Sequence, residues 1–244
     1  MPIAVLSDIH SNQEALQVFL DFASKKGIKD FICLGDIVGY GASPNECLTL
    51  LSKLPNLICV AGNHDYGVIG KTDIRYFNVL AQTAIIWTRN QLSQKLRSFL
   101  ENLPLATTYN EAFLVHATPK DPSFWHYLFD LDDVREQFGC FTEFLCFIGH
   151  SHIPVMFSYE EKNKKVSIIR EKQVKLQKGF RYIVNVGSIG QPRDGDPRLS
   201  FVIWDQEIQA IEFYRLEYDI VRAQQKIINA SLPLFLALRL GVGQ

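Results

Sequence analysis

Five of the six histidines in this 244-residue chain stand at or just beyond the end of a short apolar run, and carboxylates stand with them. Asp8 and His10 follow the first run, Gly35-Asp36 the second, and Gly62-Asn63-His64-Asp65 the third. His116 closes Phe113-Leu114-Val115, and Gly149-His150-Ser151-His152 follows Cys146-Phe147-Ile148. Taken singly, each is an ordinary piece of turn. Asp-x-His and Gly-Asp are common in turns, and Gly-Asn-His-Asp suits a tight one built from residues that tolerate positive φ. The same placement repeated along one chain points instead to a shared site. Asp8 and Asp36 offer hard anionic oxygens, His10, His116, His150 and His152 neutral nitrogens, and Asn63 an amide oxygen. A mixed nitrogen and oxygen set without thiolate suits Mn²⁺, Fe or Zn²⁺ better than Ca²⁺. Those seven residues are more than one ion takes from side chains, so two divalent ions are expected, with Mn²⁺ favoured. A carboxylate such as Asp36 can bridge two cations roughly 3.5–4 Å apart.

The elements that must carry these residues can be read from periodicity. Residues 3–7, 31–34, 57–61, 112–115 and 145–148 are apolar runs of strand length, continuous enough for strands buried on both faces of an α/β sheet. Ligands in such sheets bind beyond the carboxyl ends of the strands, which is where the histidines fall. Helices are expected at 12–26, with Asn12 or Ser11 as cap and Gly27 beyond its end, and at 44–54, with Ser43 as cap and Pro44 in the first turn. Two helices broken near 90–93 fit 73–102, and a shorter one fits 131–138. Beyond His152 the character changes: 155–159, 166–169, 182–186, 201–204 and 210–215 read as antiparallel strands joined by hairpins, closed by a helix at 219–229. Residues 232–240 read as a docked terminal helix. A βαβ half followed by a β-rich half, without repeat or linker, predicts one domain over 1–244, sheet against sheet with helices outside.

Composition excludes some classes. The formal net charge is −1, so nothing strong favours nucleic acid as a partner. The late apolar stretch at 232–240 is far below the roughly 18–20 residues of a spanning helix, and no secretory leader is evident, so a cytoplasmic location without membrane attachment is expected. Five cysteines without paired spacing argue against a disulfide framework.

In order along the chain, Asp8-x-His10, Gly35-Asp36, Gly62-Asn63-His64-Asp65, His116 and Gly149-His150-Ser151-His152 resemble the motif set of the calcineurin-like metallophosphoesterases. Gly35-Asp36-Ile37-Val38-Gly39-Tyr40-Gly41, Pro44-Asn45-Glu46-Cys47 and the segment from Gly187 through Arg193 to Asp196 look like small prokaryotic phosphodiesterases related to dinucleoside polyphosphate hydrolases. The resemblance implies a four-layer αββα sandwich, two mixed sheets flanked by helices, with a dinuclear metal site at the sheet edge. It implies that Asp8, His10, Asp36 and His152 hold one ion, and that Asp36, Asn63, His116 and His150 hold the other. His64 would act as general acid or charge stabiliser, and Asp65 would orient its ring and favour the imidazolium. The implied reaction is in-line attack of a metal-bridging hydroxide on a small phosphate ester or nucleotide. Arg193 and Asn63 are expected to contact substrate, Arg193 through a phosphate; Tyr40 is expected to pack beneath its loop, with flanking the substrate as the alternative, and His126 to be structural, while Trp125 and Tyr127 could wall a pocket for a base.

Two other functions fit less well. A protein Ser/Thr phosphatase of this type carries Asp-Arg where Gly39-Tyr40 stands here, and ends its third block in Glu rather than Asp65. A non-catalytic scaffold with the same fold lacks the histidine equivalent to His64, which is present.

Overall fold

A strand that is apolar on both faces must be covered on both faces, and the computed structural model, which describes residues 2–128 and 130–244, does this with two stacked sheets and outer helices. The first six-stranded sheet runs β3 (Leu57–Cys59), β2 (Asp30–Cys33), β1 (Pro2–Leu6), β11 (Leu199–Asp205), β12 (Ala210–Leu216) and β9 (Gln173–Lys175). The second runs β4 (Ala106–Tyr109), β5 (Ala112–Val115), β6 (Leu145–Ile148), β10 (Phe180–Asn185), β7 (Val155–Glu160) and β8 (Lys165–Ile169).

Alternation along each strand sorts side chains into layers. Ile3 and Val5 of β1 and Leu145 and Phe147 of β6 meet in the core between the sheets. Ala4 and Leu6 face an outer core with Leu16 and Phe19 of α1 (Gln13–Lys25) and Leu48 of α2 (Pro44–Leu51). Cys146 and Ile148 face the opposite outer core with Val134 of α6 (Leu131–Gln137). Phe147 and Trp204 pack across the central layer with ring centroids 5.6 Å apart. Truncating either to alanine would cost about 3–5 kcal/mol.

Parallel pairing aims the strand ends. β1, β2 and β3 run parallel in the first sheet, and β5, β6 and β10 in the second. Their carboxyl ends therefore open onto one edge of the sandwich. The α1 helix starts where Asn12 accepts the Ala15 N–H, as an N-cap should. At α2, Pro44 occupies the first turn as expected, but Ser43 makes no capping bond and instead receives the Lys226 ammonium.

The β-rich half is shared between the two mixed sheets, as the resemblance implied: β11, β12 and β9 extend the first, while β10, β7 and β8 extend the second. Two features differ from the sequence reading. Strands β4 and β9 were not expected, being short, polar and at or near sheet edges. Gly62-Asn63-His64-Asp65 opens a helix, α3 (Asn63–Ile69), rather than a tight turn. The paired helices expected over 73–102 are α4 (Val79–Gln91) and α5 (Gln94–Glu101). The closing elements are α7 (Ile220–Asn229), capped by Asp219, and the short α8 (Leu234–Leu238). Among the described residues, no helix is long and apolar enough to cross a membrane.

Candidate metal centre

Sharp turns at the strand ends swing the chemistry-bearing side chains inward. Asp8, His10, Asp36, His150 and His152 all have left-handed backbone, with φ between 46° and 66°. Such conformations cost non-glycine residues about 1–3 kcal/mol each and persist only where the surroundings enforce them. Backbone bonds between neighbouring loops do the enforcing: Asp8 N to Gly35 O, His10 N to Asp36 O, Gly149 N to His116 O and Gly190 N to Asp8 O, at 2.8–3.0 Å. Two glycines are required by close approach. A Cβ on Gly62 would collide with the Asp36 carboxylate, and one on Gly149 with Ser7 and with Asp8 Oδ2.

Each carboxylate is held by one oxygen and presents the other. Asp8 Oδ2 accepts the His150 N–H at 3.0 Å, leaving Asp8 Oδ1 buried without a hydrogen-bond donor. Asp36 Oδ1 accepts the His64 N–H at 2.8 Å, and Asp36 Oδ2 lies 3.5 Å from His10 Nε2 and 3.4 Å from His116 Nε2. Three imidazoles are anchored through Nδ1 to backbone carbonyls: His10 to Val38 at 3.2 Å, His116 to Leu34 at 2.8 Å and His152 to Gln191 at 2.5 Å. A carbonyl only accepts, so Nδ1 carries the proton, and in the neutral rings of His10 and His152 Nε2 is left with a bare lone pair. His10 Nε2 and His152 Nε2 then face each other at 3.1 Å, and His116 Nε2 faces His150 Nδ1 at 3.2 Å. The opposed lone pairs of His10 and His152, beside carboxylate oxygens, fit a cation lying among them; carbonyl-anchored histidines are the usual arrangement of metal ligands. Asp8, His10, Asp36 and His152 form one group able to hold an ion, and Asp36, His116 and His150 a second, with Asp36 shared. Asn63 stands buried beside them, its Oδ1 without a partner.

The electrostatics agree with this donor set. Burial pushes His10 and His152 below the usual histidine range and takes His150 to about 3, all in the neutral, ligating form. Burial opposes the charges of Asp8 and Asp36, but the histidines beside them, His152 and His116 foremost, hold both carboxyls well below the usual range. His116 goes the other way. Burial lowers it, but Asp36 outweighs that and raises it to about 10, so binding an ion there displaces a proton.

His64 lies in the same layer, its ring edge-on to His10 at 4.8 Å. Burial takes its pKa down to about 4 against the pull of Asp36, so the ring is neutral. Asp65 does not orient it. The Asp65 carboxylate accepts the N–H groups of Ile37, Val38 and Gly62 at 3.0–3.2 Å, while His64 Nδ1 has no partner. The expected ring-orienting and imidazolium-favouring role of Asp65 is therefore corrected. This residue ties the Asp36 loop to the start of α3, because three converging backbone donors satisfy it better than one imidazole.

Above the cluster opens a cleft of about 710 Å³, lined by Asp36, Asn63, His64, His150, His152 and Arg193 on its metal side. Arg193 donates from Nε and Nη2 to Gln191 Oε1, and its guanidinium lies 5.6 Å from the Tyr40 ring centre. Tyr40 is buried against His10 and His64 and also lines the cleft. His126 is exposed and stacks on Phe124. Trp125 and Tyr127 line the cleft, and Tyr127 stacks on His150 at 4.2 Å. Lys71, Tyr76 and Phe124 complete the outer walls and were not singled out from the sequence. Isolated residues in polar connections give no periodic signal.

Comparison with known proteins follows the same line. The calcineurin-like phosphoesterase superfamily domain matches residues 1–208. The chain is 45% identical over 246 residues to an uncharacterised protein of Methanocaldococcus jannaschii, covering 99% of this chain and 98% of that one. The structure of a metallophosphoesterase from Sphaerobacter thermophilus superposes with a TM-score of 0.88 at 37% identity, covering 100% of this chain and 99% of that one. A hypothetical protein from Pyrococcus horikoshii superposes with a TM-score of 0.76 at 21% identity, covering 100% and 98%.

Proposed function

The chain belongs to the calcineurin-like phosphoesterase superfamily, and on that premise we propose that it is a Mn²⁺-dependent phosphodiesterase or nucleotide pyrophosphatase. One observation carries the reading: carbonyl-anchored His10 and His152 turn paired lone pairs toward each other beside the shared Asp36 carboxylate, at the floor of an open cleft. Calcineurin-like phosphoesterases use divalent metals, and two groups of side chains here suit them. Asp8, His10, Asp36 and His152 would hold one ion; Asp36, Asn63, His116 and His150 would hold the other. When bound, such ions neutralise phosphoryl oxygens and lower the pKa of coordinated water.

The chain's own groups do the rest. Asp36, fixed through Oδ1 by the His64 N–H, holds the two halves of the cluster in register. His64 faces the cleft with a neutral ring, suited to donate a hydrogen bond to the leaving oxygen as the P–O ester bond breaks and water's oxygen bonds to phosphorus. Arg193, braced by Gln191, presents a planar fork to a phosphoryl oxygen that the cluster does not engage. Gly39-Tyr40 gives no second arginine at the position where protein phosphatases of this superfamily clamp a monoester dianion, which supports the diester reading.

The test is turnover of bis(p-nitrophenyl) phosphate and p-nitrophenyl phosphate by Mn²⁺-loaded protein and by His64→Ala. The diester is expected to be hydrolysed faster, and His64→Ala to lose about 10²–10⁴ in rate while keeping its metal. Metal-loaded protein that turns over neither ester would make the fold a non-catalytic scaffold here.

A further inference from the structure

Two aromatic side chains stand in water at the outer end of the cleft. Tyr76 is 88% exposed and Phe124 is 69% exposed, and both line the same space as the metal-side residues. They come from separate segments of the chain built alike. Tyr76 closes a 3₁₀ turn (Ile74–Tyr76) that begins at Asp73, and Phe124 closes a 3₁₀ turn (Pro122–Phe124) that begins at Asp121. Neither turn is slack. Asp73 accepts the Arg75 N–H at 2.9 Å and pairs with the Arg75 guanidinium, while the Phe124 N–H donates to Asp121 O at 2.9 Å. Asp121 and Trp125, on either side of the second turn, have left-handed backbone with φ of 48° and 56°. A bulky residue such as Trp is rarely found there, so this loop holds an unfavourable conformation in the course of presenting Phe124.

Large aromatic rings left in water at the mouth of a pocket are what a ring-bearing ligand would cover. The cleft's volume, about 710 Å³, lies in the roughly 300–1,000 Å³ range of sites that enclose whole organic ligands, well beyond what one phosphoryl group fills. Cations line it as well as rings: Arg193 on the metal side, and Lys71, whose ammonium donates to Glu101 O. Hydroxyls and an amide for reading a polar ring edge also lie in the wall, at Thr72, Ser123 and Asn78. A net charge of −1 gives no electrostatic pull toward a polynucleotide, so a small molecule fits the cleft better.

We infer that Tyr76 and Phe124 form a base-binding subsite, which takes the nucleobase of a nucleotide substrate while its phosphate lies over the metal cluster. This rests on the phosphoesterase reading for the identity of the phosphate end. The base end stands on the exposed rings themselves.

The experiment compares equilibrium binding of adenosine 5′-monophosphate, ribose 5-phosphate and phenyl phosphate to the Mn²⁺-loaded protein by calorimetry. The first two ligands share a sugar and phosphate and differ only in the base. Base–aromatic stacking predicts about tenfold or tighter binding of the adenosine ligand. Tyr76→Ala and Phe124→Ala should each shrink that ratio, and the double variant should bring it close to one. Ile208→Ala, an exposed apolar change outside the cleft lining, should leave the ratio intact. Equal binding of the adenosine and ribose ligands, including no measurable binding of either, would overturn the inference. So would a preference that survives the double variant, or phenyl phosphate binding as tightly as the adenosine ligand. The readout is binding, so this result is separate from whether any ester is turned over.

Discussion

The two halves of the candidate metal cluster are built differently. In the half formed by Asp8, His10, Asp36 and His152, both imidazoles are tied through Nδ1 to backbone carbonyls, and their Nε2 atoms face each other at 3.1 Å. In the half formed with Asn63, His116 and His150, only His116 has such a tie. His150 Nε2 and Asn63 Oδ1 are buried without partners, and the His150 ring rests on Tyr127, itself 43% exposed at the cleft wall. One half is preorganised by backbone carbonyls on both imidazoles, and the other on one alone. A ligand atom already held in place loses less freedom when the ion arrives, so the first half should bind more tightly.

That comparison can be broken most severely at its shared member. Asp36→Asn removes the charge common to both halves, so both ions should be lost. Turnover should fall roughly a thousandfold or more, a loss of ~4 kcal/mol in transition-state stabilisation, read by metal analysis alongside kinetics. His150→Ala sharpens the contrast. It should release about one ion per chain and leave the other, whereas His152→Ala should weaken the ion of the tighter half; loss of the same single ion in both variants would erase the difference between the halves. The smallest expected effect is that of Asp65→Asn, which touches neither half directly. It replaces a carboxylate that gathers three backbone donors, so a loss of about 1–3 kcal/mol in stability is expected, visible as a lower melting temperature with metal still bound.

The contrast also explains what could be read from the sequence. The site's position was legible because its residues follow apolar runs, and parallel strands bring the ends of such runs to one edge. Sandwich layering was legible from strands apolar on both faces, such as β1 and β6. The role of Asp65 was not, because spacing cannot tell a carboxylate that serves a neighbouring ring from one that serves backbone donors reached through the fold. The start of α3 at Asn63 was hidden behind glycine and asparagine, which read as a turn until the Asp65 carboxylate accepts the Gly62 N–H. The edge strand β9 exists only because β12 offers it a partner. Tyr76 and Phe124 gave no signal, since a lone aromatic in a connection gains meaning only when a second segment folds against the same cleft.

The most direct test of the account is a titration of metal-stripped protein with Mn²⁺, measuring turnover of bis(p-nitrophenyl) phosphate and bound metal together. The account predicts little activity through the first equivalent and a steep rise through the second, ending at two ions per chain. Full activity at one equivalent, or two bound ions with no turnover, would contradict it.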